Sequence, residues 1–199
     1  LIYGVDFDVP GDSAILEMKG LAGPTINPAL KDENLKSSLL SFADRYNGWI
    51  ERQTKALEKL DIHENIIDQG KRNLEACKKL HERINKGVDL IFSKPKIKQA
   101  FFDANKAMFM QRVMGAFANW RRGKGNVVPG TEGYKSVPMP EFDKLPSGGR
   151  VGTDDEFGFY AKWRPFQLAF ILSQIEGITN TDSKDRDTTD LIWFPTGGG

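Results

Sequence analysis

Nine residues, LIWFPTGGG, place an apolar run directly before Pro195, Thr196, Gly197, Gly198 and Gly199. A buried strand that opens into such a turn can aim backbone N–H groups at phosphate oxygens, with no Cβ in the way. A helix starting there would add the field of its N-terminus. A complete Walker A loop also carries a lysine for the β/γ-phosphates and a Ser or Thr for Mg²⁺. Neither residue follows Gly197 in the 199 residues. The expectation is a polypeptide that breaks off inside a nucleotide pocket and hydrolyses no ATP by itself. A bare triple glycine could be a linker remnant or a frayed end. An apolar strand and Pro-Thr in front of it argue against the linker remnant.

A second kind of chemistry sits further upstream. Residues 94–125 hold eight basic side chains and one acidic one, in a chain whose overall net charge is only +1. Lysine and arginine neutralise phosphates and release condensed counterions. Trp120 beside Arg121, Arg122 and Lys124 offers a ring on which a single-stranded base can stack. The plainer reading is a solvated helix end whose basic residues answer the helix dipole.

Other chemistries are poorly served. His63 and His81, with Glu64 and Glu82 beside them, lie eighteen residues apart. A metal needs more ligands in one place, so these read as surface or helix-end histidines. Two such histidines build no Ser-His-Asp or Cys-His arrangement either. Cys77, the one cysteine, falls on an apolar stripe and reads as a small core residue. It excludes an intrachain disulfide, which suits the cytoplasm. Asp154, Asp155 and Glu156 read as a solvated loop. No apolar stretch approaches the ~20 residues a membrane span needs, so no membrane role is expected. The start, LIYGVDFDVPGD, has neither an initiator Met nor the pattern of a signal peptide. It reads as the interior of a longer chain.

The elements that must position these residues are mainly helical. Residues 1–30 are rich in Gly and Pro and read as short strands and turns, the tail of a preceding region. Leu35, Leu39, Phe42, Tyr46, Trp49, Leu57 and Leu60 then recur at spacings of three, four and eight. Ile62, Ile66, Leu74, Cys77, Leu80, Ile84 and Val88 form a second series. Two helices joined so tightly run antiparallel, and both stripes read as the seam of that hairpin. Gly87 is expected to end the second helix. Ser93-Lys94-Pro95 opens a third, apolar nearly all round, whose short polar stripe includes Asn105 and Arg112. A helix of that kind is buried in a larger body or covered by a partner.

The helical region thus covers residues 31–122. Residues 123–160 read as one long loop, expected to be the first site of proteolysis. Residues 161–199 read as the start of a P-loop α/β (RecA-like) domain: a helix opening at Pro165 and ending at Gly177, a polar connection, the LIWF strand and the glycine turn.

LIWFPTGGG resembles the start of motif I of superfamily 2 helicases. WRPFQLAFIL resembles the stretch before motif I, where a glutamine reads the adenine ring. The pair together is most similar to the large helicase of DISARM-type anti-phage systems. The likeness is strong over residues 163–199 and modest over 25–120, and it departs from the usual loop at Phe194, where Gly or Ala is common. It implies that Gln167 contacts adenine, flanked by Arg164 and Phe166, and that residues 195–199 begin the phosphate loop. An amide offers a donor and an acceptor, which suits the N6/N7 edge of adenine. The resemblance further implies ATP and Mg²⁺ as cofactors of the intact protein, single-stranded DNA as substrate, and other defence subunits as partners. The competing class is a non-catalytic helical interaction module with an incidental glycine-rich end.

Overall fold

A computed structural model of the protein describes residues 13–123, 141–145, 161–187 and 189. Four α-helices account for most of them: α1 (Asp32–Leu57), α2 (Glu64–Ser93), α3 (Pro95–Gly123) and α4 (Pro165–Thr179). The fold is mainly helical, and no strand occurs among the described residues. The LIWF strand and the glycine turn expected at 191–199 lie outside them, as does most of the loop expected at 123–160. No helix described is long and apolar enough to cross a membrane.

Helices α1 and α2 form the expected antiparallel hairpin. Acidic Asp32 and Glu33 complement the dipole at the start of α1. His63 caps α2, its Nδ1 accepting the Asn65 N–H at 3.3 Å. Lys36 pairs with Asp89 at 3.0 Å near one end of the hairpin, and Leu57 touches Gly70 near the other. Between them, burial raises the pKa of the Tyr46 phenol above its ordinary value, and a hydrogen bond with Cys77 adds to this.

Only half of the hairpin is core. Leu35, Leu39, Phe42, Ala43 and Ile50 are buried on α1, and Ile84, Gly87, Val88 and Ile91 on α2. Between Ile50 and Ile84 no residue is buried. The reason is layering: α4 and the first turns of α3 cover only that end, joining Leu168, Leu172, Phe101 and Phe102 to the same cluster. The far end is two helices deep, and Leu60, Ile62 and Ile66 at its tip are exposed.

Gly87 does not end α2, which continues to Ser93. A Cβ placed at Gly87 would lie 2.0 Å from the carbonyl oxygen of Leu172. The glycine lets the backbones of α2 and α4 approach where they cross. Charges flank that crossing: Lys86 pairs with the buried Glu176, and Arg83 with Asp185 at 3.2 Å.

Helix α3 opens at Pro95, as the fixed φ of proline favours. It buries Phe101, Phe102, Asn105, Phe109, Val113 and Phe117 along one stripe, and Met114 on the other side is 47% exposed. Asn105, expected on a polar face with Arg112, is 1% exposed, whereas Arg112 faces solvent. A hydrogen-bonded partner explains the burial, as described below.

The described residues before α1 pack on the same helices. Met18, Ala22 and Ile26 join Phe109, Val113 and Ala161 in a second cluster. Met18 N–H donates to Ala161 O at 3.0 Å and Trp163 N–H to Leu16 O at 2.8 Å. Glu17 and Lys162 pair at 3.5 Å beside this short antiparallel bridge. Gly23, at φ 80°, turns the chain against Phe102, a conformation that costs glycine little.

Residues 141–145 are held to this layer by Lys19, whose Nζ donates to Asp143 O at 2.8 Å and to Leu145 O. Burial lowers the pKa of that ammonium, and Asp143 pulls it the other way. Phe142 and Leu145 pack on the second cluster. Lys19→Met keeps the stem and loses both hydrogen bonds. Chymotryptic cleavage after Phe142 should then accelerate roughly tenfold, the equivalent of ~1.4 kcal/mol in the opening equilibrium. Equal cleavage rates would mean that Lys19 does not hold this segment.

Candidate functional site

The start of α4 gathers the described residues of the expected nucleotide site. Arg164 is the N-cap residue, Pro165 the first helical position and Gln167 the third. Proline sits there without loss, since the first N–H of a helix has no partner inside it. Gln167 Oε1 accepts the Arg164 N–H at 2.9 Å. This is one arm of a capping box. An arginine side chain carries only donors, so it cannot return the second arm by accepting an N–H. Arg164 is exposed, and Phe166 and Gln167 are partly buried.

Gln167 therefore has a structural task that the sequence resemblance does not suggest. The task uses one lone pair of Oε1. A second lone pair and the Nε2 donors are not needed for the cap, so the amide fits adenine recognition in its donor–acceptor chemistry. Leu168 and Leu172 are fully buried behind it. That fixes the helix against α2 and holds the turn carrying Gln167 at its outer end.

Trp163, one residue before the cap, is clamped twice. Its backbone N–H donates to Leu16 O. Its indole Nε1–H donates to Asn105 Oδ1 of α3 at 2.8 Å. Asn105 Nδ2 in turn donates to Phe101 O at 2.8 Å. The alternation of polar and apolar residues gives no sign of this pair. The isolated asparagine in an otherwise apolar helix was the available signal, and a buried amide requires partners.

The expected nucleic-acid surface begins on the same helix. Trp120 is partly buried and stacks on Phe117, with centroids 5.8 Å apart and planes 25° apart. One face of its ring is thus covered within the protein. Arg121 and Arg122 lie in the last turn of α3, their side chains beyond what the structure describes, and Lys124 lies outside the described residues. At the other end of α3, Lys94 and Lys96 are exposed, whereas Lys98 is committed to Asp32. Residues 195–199 also lie outside the described residues.

No cluster of metal-ligating side chains occurs among the described residues. A groove of about 220 Å³ lies between the arms of the hairpin near its tip, lined by Leu57, Ile67 and Leu74 among others. It is smaller than the ~300 Å³ at which ligand pockets usually begin.

No family model matches the chain. Over 164 residues it is 31% identical to the DISARM protein DrmA of Bacillus paralicheniformis, and the match takes in 81% of this chain. The chain spans only 12% of the length of that relative. What this sequence is similar to is therefore one portion of DrmA, matched along most of the chain's own length.

Proposed function

We propose that this chain is a helical portion of an anti-phage defence protein of the DrmA kind, and that the full-length protein is an ATP-driven superfamily 2 helicase or translocase. The similarity to DrmA carries the reading. In this proposal Gln167 reads adenine, with Arg164 and Phe166 beside it. The turn at Pro195, Thr196, Gly197, Gly198 and Gly199 begins the phosphate loop for ATP and Mg²⁺. Helix α3 contributes Trp120, Arg121 and Arg122, with Lys124 just beyond, to a path for single-stranded DNA. Other subunits of a defence complex are the expected partners, and the cytoplasm the expected place.

What supports the nucleotide role within the structure is the Gln167 amide, held by a cap that leaves its donors unused. What supports the nucleic-acid role is the charge of residues 94–125, net +7. Neutralising Arg121, Arg122 and Lys124 together to Gln in the full-length protein should weaken single-stranded DNA binding. The slope of log K against log salt should fall by about two, near 0.7 per lost phosphate contact. An unchanged slope would reduce this end of α3 to a helix terminus.

One observation favours the non-catalytic reading. Gln167 is accounted for as a capping residue, and a cap by itself needs no nucleotide. The two readings separate on Gln167→Glu, which keeps the capping acceptor and removes the amide donors.

A further inference from the structure

Between Ile50 and Ile84 the hairpin is two helices deep, with no buried residue. Its groove has an apolar floor of Leu57, Ile67 and Leu74, with Lys71, Glu75 and Lys78 along the α2 lip. Those charges, together with Asp68, are arranged symmetrically in position and oppositely in sign. Lys71 and Glu75 stand two residues either side of Asn73, and Asp68 and Lys78 five residues either side. Turned end for end about Asn73, the row meets its own complement: Lys71 faces Glu75 and Asp68 faces Lys78, each twice. Within the chain the same groups make only exposed contacts one turn apart, Lys71–Asp68 at 3.6 Å and Lys78–Glu75 at 4.0 Å. Pairs of that kind hold their side chains weakly, so they can exchange for partners across an interface.

We infer that this half of the hairpin pairs with a second copy of the chain, the two α2 helices running antiparallel about a twofold axis at Asn73. A twofold interface uses one patch on both copies, so the patch must complement itself. Alternating charge alone marks a solvated helix. Opposite signs mirrored about one residue, on the lip of an apolar groove, are what a twofold partner requires, and a foreign helix would need no such mirror. Leu74, one residue from the axis, meets its own copy there, and the two hairpins together make a four-helix bundle. At the ~20° crossing common in bundles the helix axes diverge outward. The like-signed Glu64 and Glu82, nine residues out, thus stand further apart than the four central charges. Neither Gln167 nor a nucleotide enters this pairing.

The test is sedimentation of the full-length protein across the micromolar range at low salt, with Lys71→Glu and Glu75→Lys measured alone and mixed. Wild type should form a dimer. Each single variant sets like charges against each other at two points and should weaken self-association at least tenfold, roughly the scale of misplaced interface charges. Mixed in equal amounts, the two variants regain both Lys–Glu contacts, so a heterodimer should form within about threefold of the wild-type Kd. Only a twofold self-pairing predicts that rescue. The double variant Lys71→Glu/Glu75→Lys keeps the composition. It should pair with itself and not with wild type, and it decides the matter if either single variant melts early. A wild type that stays monomeric overturns the inference and leaves the groove to another subunit or to the rest of the polypeptide. A dimer that both single variants leave intact, or a mixture of them that stays monomeric, overturns it as well.

Discussion

Gly87→Ala is expected to destabilise the protein by about 3 kcal/mol or more, at the top of the range for overpacking a filled core. The added methyl would meet the Leu172 carbonyl oxygen at 2.0 Å, with the carbonyl carbon at 2.9 Å. Both are backbone atoms of a helix, so no rotamer change relieves the clash. Helices α2 and α4 would have to separate. Leu168 and Leu172, fully buried on the facing stripe, would lose contact with Ile84 and Val88. For a protein of this size the loss corresponds to a fall in Tm of roughly 10 °C. Gly115→Ala supplies the control. A Cβ there would meet nothing within 4 Å, so the gain should be about 0.5–1 kcal/mol from reduced backbone entropy in the unfolded chain. Denaturant unfolding of the two variants should thus move in opposite directions. A Gly87→Ala protein as stable as wild type would mean that the two backbones do not meet at this point.

Gln167 is expected to show the second large effect, divided between stability and nucleotide binding. Gln167→Ala removes the acceptor for the Arg164 N–H, which should cost about 1 kcal/mol of stability. It also removes the amide proposed to read adenine, so the KM for ATP in the full-length protein should rise at least tenfold, about 1.4 kcal/mol. Gln167→Glu separates the two roles. Its carboxylate still accepts the Arg164 N–H and stands well at a helix N-terminus, so Tm should match wild type. A carboxylate has no donor for adenine N7, so the KM should rise as in the alanine variant and preference over GTP should fall. A Gln167→Glu protein with wild-type KM and selectivity would leave the residue as a cap only.

Much of the helical framework was legible because its signals are local. Pro95 and Pro165 open α3 and α4 where the sequence predicts. The stripe Leu35, Leu39, Phe42 is buried as its spacing requires. What misled was information carried by neighbours distant in sequence. Gly87 reads as a helix end by composition, but it serves a crossing with Leu172, eighty-five residues away. Leu60, Ile62 and Ile66 continue an apolar pattern that nothing among the described elements covers, because α4 reaches only the other half of the hairpin. Asn105 breaks an apolar stripe and so reads as exposed, whereas its partner Trp163 lies fifty-eight residues on.

The candidate site was legible to a different degree. The start of α4 reads directly from WRPFQ, since proline suits the first helical position. The capping role of Gln167 was not legible, because a capping glutamine and an adenine-reading glutamine look alike in one dimension. Lys19 shows the opposite failure. Nothing in its surroundings distinguishes it from a solvated lysine, yet it gathers two carbonyls from residues 143 and 145.

The most direct test of the nucleotide reading is equilibrium binding of Mg²⁺-ATP and Mg²⁺-GTP analogues to the full-length protein. The expected result is ATP binding favoured at least tenfold over GTP, with the preference abolished in Gln167→Glu at unchanged Tm. Equal affinity for the two nucleotides, or no nucleotide binding at all, would contradict it.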